Sequence, residues 1–139
     1  MTQRADSGGK PRILVSDSDH RRLSDLAEGA LGRMPEVAEE LQAEMDRAEV
    51  VSAAALPAAI VRMGSTVAFR TSTGQRRDVT LVFPGEADIA AGRVSILTPI
   101  GTALIGLAPG QSIRFTARDG REQELTVLAV RQAEGEEDG

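Results

Sequence analysis

The stretch of sequence that decides the fold is residues 92–106, GRVSILTPIGTALIG. Its first half is rich in apolar and β-branched residues, which predicts a strand over residues 94–98. Proline is favoured in the first turn of a helix and glycine at its end, so residues 99–107 are predicted to form a short helix that begins at Pro99 and stops near Gly106. A strand that leads straight into a helix predicts a domain of the α+β class.

Strand patterns flank this stretch on both sides. Upstream, residues 60–70 predict a strand interrupted at Gly64-Ser65, and Val79, Leu81 and Phe83 alternate with their neighbours as in a half-buried strand. Residues 85–92 predict a loop. Downstream, after a predicted turn at Pro109-Gly110, residues 112–118 and 124–131 flank Asp119-Gly120, which is a strong β-hairpin signal.

The first part of the chain follows a helical period instead. Residues 19–31 and 35–50 each carry an apolar stripe at three-and-four spacing, separated by a break at residues 32–35 that contains Gly32 and Pro35. The pattern predicts an antiparallel helical hairpin, preceded by a short strand or strap at residues 13–15. Its length would be about 20–24 Å at 1.5 Å per residue. We expect a monomer, with a dimer through the apolar stripe as the open alternative.

These patterns divide the chain into five segments. Residues 1–12 are predicted to be a disordered lead, 13–51 the short helical hairpin (a coiled coil), 52–57 an alanine-rich linker, 58–132 the sheet domain, and 133–139 an acidic mobile tail.

Composition limits the classes of function. The chain has 139 residues, no cysteine and no long apolar run, and its polar first residues lack a signal-peptide core. We therefore expect a cytoplasmic protein with no membrane partner. The net charge of −5 argues against free-standing, sequence-specific nucleic-acid binding, which usually needs a basic surface.

Charge is unevenly distributed along the chain. Residues 16–50 carry a net charge of −6, whereas residues 57–132 carry +3. This asymmetry predicts two parts with different surfaces, although ordinary solvated faces would give the same count.

Few side chains are suited to catalysis. His20 is the single histidine and is expected to be a solvated surface residue, and Gly101, Gly106 and Gly110 lack the spacing of a phosphate-binding loop. Glu36, Glu39 and Glu40, with Glu28 nearby, could hold a divalent ion or could simply be favoured by the dipole at the start of a helix. We predict no catalytic residue, no metal site and no cofactor.

The second half of the chain resembles the C-terminal domain of the GreA/GreB transcription elongation factors. The similarity is carried by 61-VRMGSTV-67, by 86-EAD-88 before the next strand, and by 98-TPIGTALIG-106. Thr98 replaces the serine of the family's Ser-Pro pair, and PGQ at residues 109–111 replaces its usual Gly-Asp turn.

The resemblance implies an FKBP-like fold, in which a curved antiparallel sheet covers one short helix. It also implies docking on RNA polymerase at the rim of the secondary channel, and the predicted docking residues are Asp88, Ser95, Thr98, Pro99 and Ile100. Prolyl-isomerase activity is disfavoured, because three phenylalanines without tryptophan or tyrosine cannot line the aromatic pocket that it needs.

The hairpin resembles that of Rnk-type proteins, which are known as regulators of nucleoside diphosphate kinase. Asp17, Leu23 and Leu26, 44-EMDRA-48 and Leu56-Pro57 carry this similarity. Transcript-cleavage factors of the Gre type have a longer hairpin with paired acids at its tip, whereas the predicted tip here comprises Arg33, Met34, Glu36, Glu39 and Glu40.

The resemblance therefore implies a non-enzymatic regulator that occupies the secondary-channel entrance of RNA polymerase. It would compete with Gre-type factors without stimulating cleavage. Two alternatives stay open: a true cleavage factor that uses Glu36, Glu39 or Glu40, and a regulator that acts through another protein such as nucleoside diphosphate kinase.

Overall fold

A pair of helices opens the fold in the computed structural model, which describes residues 10–132. Helix α1 spans Asp17–Ala30, and its first turn is capped by the Ser16 hydroxyl, which accepts the Asp19 N–H at 3.2 Å. Helix α2 spans Pro35–Arg47, with its proline in the first turn. The Met34 N–H donates to the Ala30 carbonyl at 2.8 Å across the turn between them. The predicted helical hairpin is thus confirmed.

The sequence predicted that the second helix ends at residue 50, but it ends at Arg47. The difference arises because the next residues form a strand, β2 (Glu49–Val51), which pairs in parallel with β1 (Leu14–Ser16). Strand β1 confirms the predicted strap before the hairpin. The two strands join the entry and exit of the hairpin, so its base is closed by backbone hydrogen bonds.

The second part of the chain forms a sheet and one short helix. Its elements are β3 (Thr66–Thr71), β4 (Arg76–Val82), β5 (Arg93–Ser95), α3 (Pro99–Leu104), β6 (Ser112–Thr116) and β7 (Glu122–Arg131). The five strands lie in the order β5-β4-β3-β7-β6, and neighbours pair antiparallel except β4 and β5, which are parallel. The predicted β6–β7 hairpin is confirmed, with Gly120 at φ +85° in its turn.

Several predicted boundaries were wrong. Residues 60–65 lie outside any strand, with a turn at residues 63–64 next to the predicted interruption, and β3 begins only at Thr66. Strand β5 ends at Ser95 because its hydroxyl accepts the Leu97 N–H at 2.9 Å and turns the chain toward α3. Helix α3 ends at Leu104, ahead of Gly106 with φ +84°. Short 3-10 turns lie at Ala53–Ala55 in the predicted linker and at Pro84–Glu86 and Ile89–Ala91 in the predicted loop.

One hydrophobic core joins the hairpin to the sheet. Leu23 and Leu41 of the hairpin belong to the same buried cluster as Phe69 of β3 and Leu104 of α3. All four are fully buried. The hairpin therefore packs against the sheet domain instead of extending away from it as a free arm.

The last residues of the predicted disordered lead are held in place. The Lys10 ammonium lies 3.2 Å from a Glu44 carboxylate oxygen, and Arg12 pairs with Glu49. The predicted disorder therefore does not extend to residues 10–12, whereas residues 1–9 and the predicted tail at 133–139 lie outside the described part of the chain. None of the helices formed by residues 10–132 combines the length and hydropathy needed to cross a bilayer.

Candidate functional site

The loop that leads into α3 is organised by two of the predicted docking residues. The Thr98 hydroxyl accepts the Gly101 N–H at 3.0 Å and donates to the Ser95 carbonyl at 2.8 Å. Thr98 is therefore the N-cap of α3, as a serine would be. Since the hydroxyls of Ser95 and Thr98 are both engaged within the loop, their main effect is to hold Pro99 and Ile100 in place.

Gly101 lets this loop pack closely on α3. A Cβ atom at this position would lie 2.3 Å from the Ser95 carbonyl oxygen and 2.9 Å from the Ile96 Cα. Only glycine fits at such a distance. Gly101 therefore serves the close packing of the loop on the helix. Pro99 and Ile100 are half-buried on this rigid support.

Asp88 closes the neighbouring loop. Its N–H donates to the Arg93 carbonyl at 3.0 Å, and its carbonyl accepts the Arg93 N–H at 2.9 Å. Its carboxylate caps the next 3-10 turn by accepting the Ala91 N–H at 3.4 Å. The adjacent Ile89 is 85% exposed, which is unusual for so large an apolar side chain.

The tip of the hairpin combines one apolar side chain with charged ones. Met34 is 38% exposed and Arg33 beside it is exposed. The three predicted glutamates, Glu36, Glu39 and Glu40, are exposed along the start of α2.

The pKa of Glu40 departs from its ordinary value. Partial removal of the carboxyl group from water raises this pKa; the Lys10 ammonium lowers it, and the charges of Glu44 and Glu36 raise it further. Within residues 10–132 no three acidic or histidine side chains are close enough together to hold a metal ion.

The tip and the α3 loop face each other across two adjoining grooves. The first, with a volume of about 700 Å³, is lined by Arg33 and Met34 on one side and by Ser95, Thr98, Pro99 and Ile100 on the other. The second, of about 930 Å³, is lined by Met34, Glu36, Glu39, Glu40, Pro99 and Arg118 among others. The fold thus brings all the predicted docking and tip residues together except Asp88, which lines neither groove.

Several residues of this surface were missed by the sequence analysis. Ile89, Arg77, Arg93, Arg118 and Asp119 also line the first groove. The excess of arginine after residue 57 signalled a basic surface but did not locate it. Ile89, a large apolar residue within a predicted loop, was the other available signal.

The base of the hairpin fixes the tip at this surface. A buried Asp19 carboxylate oxygen accepts the Met63 N–H at 3.3 Å, and the Arg22 guanidinium lies 4.4 Å from the centre of the Phe83 ring. Gly106 allows the chain after α3 to lie directly against the residues before β1, because a Cβ atom at this glycine would lie 2.6 Å from the Ile13 Cβ.

His20 also belongs to this framework. Its Nε2 lies 3.1 Å from the Met45 carbonyl oxygen, and the residue is half-buried. The prediction of a solvated surface histidine was therefore wrong. The imidazole links α1 to the last turn of α2, where the Met45 carbonyl also accepts the Ala48 N–H at 3.3 Å.

Comparison with protein families gives two matches that together cover most of the chain. Residues 56–132 match the family described as transcription elongation factor, GreA/GreB, C-term. Residues 11–51 match the family described as Rnk N-terminus.

Individual relatives agree with these matches. The chain is 37% identical over 123 residues to the regulator of nucleoside diphosphate kinase of Escherichia coli, covering 87% of this chain and 90% of that protein. It is 32% identical over 130 residues to transcription elongation factor GreA of Methylobacterium nodulans, covering 86% and 82%.

A solved structure shares the fold. The prokaryotic transcription elongation factor GreA/GreB from Nitrosomonas europaea superposes with a TM-score of 0.69 and 35% sequence identity, covering 86% of this chain and 99% of that chain. The predicted α+β architecture, with a helical hairpin ahead of a curled and mostly antiparallel sheet, is confirmed.

Proposed function

We propose a function from the family: the chain belongs to the GreA/GreB family of transcription elongation factors and has an N-terminal region of the Rnk type. We propose that it binds RNA polymerase at the entrance of the secondary channel. It competes there with Gre-type factors and does not stimulate transcript cleavage. It would act in the cytoplasm as a monomer, without a cofactor.

The position of the hairpin tip is the observation that carries this proposal. Met34 of the tip and Pro99 of the α3 loop line the same groove. Helix α1 has 14 residues, which corresponds to about 21 Å. A hairpin of this length, packed along the sheet domain that docks, cannot also reach far ahead of it into a channel.

The chemistry of the tip also favours a blocking role. Cleavage factors of the family place acids at the tip of a longer coiled coil, where they help to hold a catalytic magnesium ion. Here the turn between the helices carries Arg33 and Met34, and the first acid, Glu36, lies within α2. Because catalysis is sensitive to displacements of about 1 Å, glutamates held beside the sheet would be out of place.

Competition binding tests the proposal. A labelled Gre-type factor is bound to core RNA polymerase, and the unlabelled protein is added while transcript cleavage is measured on backtracked complexes. Displacement without a gain in cleavage is the expected result. Failure to displace the labelled factor at concentrations on the order of tens of micromolar would overturn the proposal.

The same assay separates the runner-up, a true cleavage factor. If cleavage rises, the variant in which Glu36, Glu39 and Glu40 are all replaced by glutamine identifies the source. Loss of the stimulation would assign the acids to the catalytic metal, and unchanged stimulation would remove them from it.

A second candidate partner is suggested by the name of a relative. The Escherichia coli protein that is 37% identical to this chain is called a regulator of nucleoside diphosphate kinase. Direct binding of purified nucleoside diphosphate kinase, measured by calorimetry, would favour this function, particularly if polymerase binding is absent.

A further inference from the structure

We propose that the groove between the hairpin tip and the β5–α3 loop binds an acidic amphipathic segment of a partner protein. This inference concerns the surface proposed above for polymerase docking and names the chemistry of the segment that fits it. It rests on the arrangement of charge and of exposed apolar side chains around the groove.

Four arginines surround the groove and one acid accompanies them. Arg33 comes from the tip, Arg77 from β4, Arg93 from β5 and Arg118 from the β6–β7 turn, and the acid is Asp119. None of the four arginines forms an ion pair with another residue in the range 10–132. The groove is therefore positive within a chain whose net charge is −5, and carboxylates are its natural counterpart.

Apolar side chains line the groove together with these charges. Ile89 is 85% exposed and Met34 is 38% exposed, and Pro99 and Ile100, which are half-buried, line the same groove. Large apolar side chains held at a surface mark a site where a partner removes them from water. Methionine adapts to partners of different shape because its side chain is unbranched and flexible.

These features favour a protein segment over nucleic acid. Single-stranded nucleic acid usually binds to aromatic side chains on which the bases stack. The groove contains one ring, that of Phe115, and it is half-buried against the core. The adjoining groove is lined by Glu36, Glu39 and Glu40, which would repel a phosphate backbone that continued past the tip.

The same glutamates limit how far the bound segment extends. Met34, Pro99 and Arg118 line both grooves, so they mark the boundary between the basic groove and the acidic one. The acidic residues of the partner should therefore lie on the side of this boundary that carries Arg33, Arg77 and Arg93, with its apolar residues against Met34 and Ile89.

Methyl NMR with synthetic peptides tests the proposal without polymerase. The probe is a short helical peptide with leucines along one face and glutamates along the other, and its counterpart has lysine in place of each glutamate. The methyl groups of Met34 and Ile89 report binding in the full-length protein. An oligouridine RNA provides the nucleic-acid comparison.

Charge-reversal variants locate the site. Arg33→Glu combined with Arg93→Glu changes two exposed arginines of the groove. Arg21→Glu combined with Arg131→Glu is the matched control, because those arginines are also exposed and line neither groove. We expect the acidic peptide to shift both methyl signals, the groove variant to bind it about tenfold more weakly, and the control to change affinity by less than about twofold.

Three results would overturn the inference. The first is that the acidic peptide causes no methyl shifts. The second is that the lysine peptide or oligouridine binds more tightly than the acidic peptide at the same methyl groups. The third is that the groove variant and the control variant lose the same affinity for the acidic peptide. These outcomes are distinct from failure of polymerase competition. If the peptide binds as expected but the Gre-type factor is not displaced, the groove chemistry stands and the polymerase proposal falls.

Discussion

The base and the tip of the helical hairpin are held to the sheet domain in opposite ways. At the base, Asp19 bonds a buried backbone N–H of Met63, and Gly106 lies directly against Ile13. At the tip, Arg33 and Met34 border a groove and remain exposed. The difference indicates that the base determines where the hairpin lies, while the tip offers a surface for a partner.

Substitution of Gly106 should break the base most strongly. In Gly106→Ala the new methyl group would lie 2.6 Å from the Ile13 Cβ and 3.1 Å from the Leu14 carbonyl oxygen, at a residue whose φ is +84°. We expect a loss of about 3 kcal/mol in the free energy of unfolding, measured by urea denaturation.

A second glycine separates crowding from backbone strain. Gly74 has a similar φ of +92° but has no atom within 4 Å of the position that a Cβ would occupy. Gly74→Ala should therefore lose only the backbone contribution, about 1 kcal/mol. Equal losses in the two variants would show that the hairpin base is not tightly packed.

Removing the Asp19 carboxylate should have the next largest effect. Asp19→Ala leaves the buried Met63 N–H without its acceptor, which should cost about 2 kcal/mol. The control is Asp25→Ala, since Asp25 is exposed on the same helix. A hydrogen-exchange experiment would show faster exchange of the Met63 amide in the first variant alone; unchanged exchange would contradict the assigned hydrogen bond.

Elements with local signals could be predicted from the sequence. The helical period of the hairpin and the Asp119-Gly120 turn depend on neighbouring residues, and the structure has both. The strand predicted over residues 60–70 begins only at Thr66, because the residues before it bond to distant parts of the chain. The Gly64 N–H, for example, donates to the Leu81 carbonyl, a contact that no local pattern indicates.

The composite site required the tertiary structure. Nothing near Ile13 in the sequence indicates that it contacts Gly106, and this contact is one of those that hold the base of the hairpin to the sheet domain. The residues of the α3 loop were found through family resemblance, and those of the tip through the hairpin pattern. That they share a groove with Ile89 and four arginines follows only from packing over long sequence distances.

Ile89 tests the functional side of the comparison. Ile89→Ser removes an exposed apolar side chain beside the groove, so it should weaken polymerase binding about fivefold while changing the free energy of unfolding by less than about 0.5 kcal/mol. Val50→Ser is the control, because Val50 is 44% exposed but lies in β2 at the base. Equal affinities for polymerase in the two variants would contradict a role for the groove.

The smallest expected effect is a pH dependence at the acidic side of the tip. Partial removal from water raises the pKa of Glu40 above its ordinary value of 4.5, so the folded state binds this proton more tightly than the unfolded state does. The resulting stabilisation is present in full below pH 4.5 and is lost as the pH rises through the raised pKa. Because Glu40 is exposed, the change in stability should be small, and carbon-detected NMR titration of its carboxyl group is the direct measurement. We expect the titration midpoint of Glu40 to lie above 4.5 and to move down in Glu36→Gln, since that substitution removes a repelling charge. A midpoint at or below 4.5 would show that the carboxyl group of Glu40 is fully solvated.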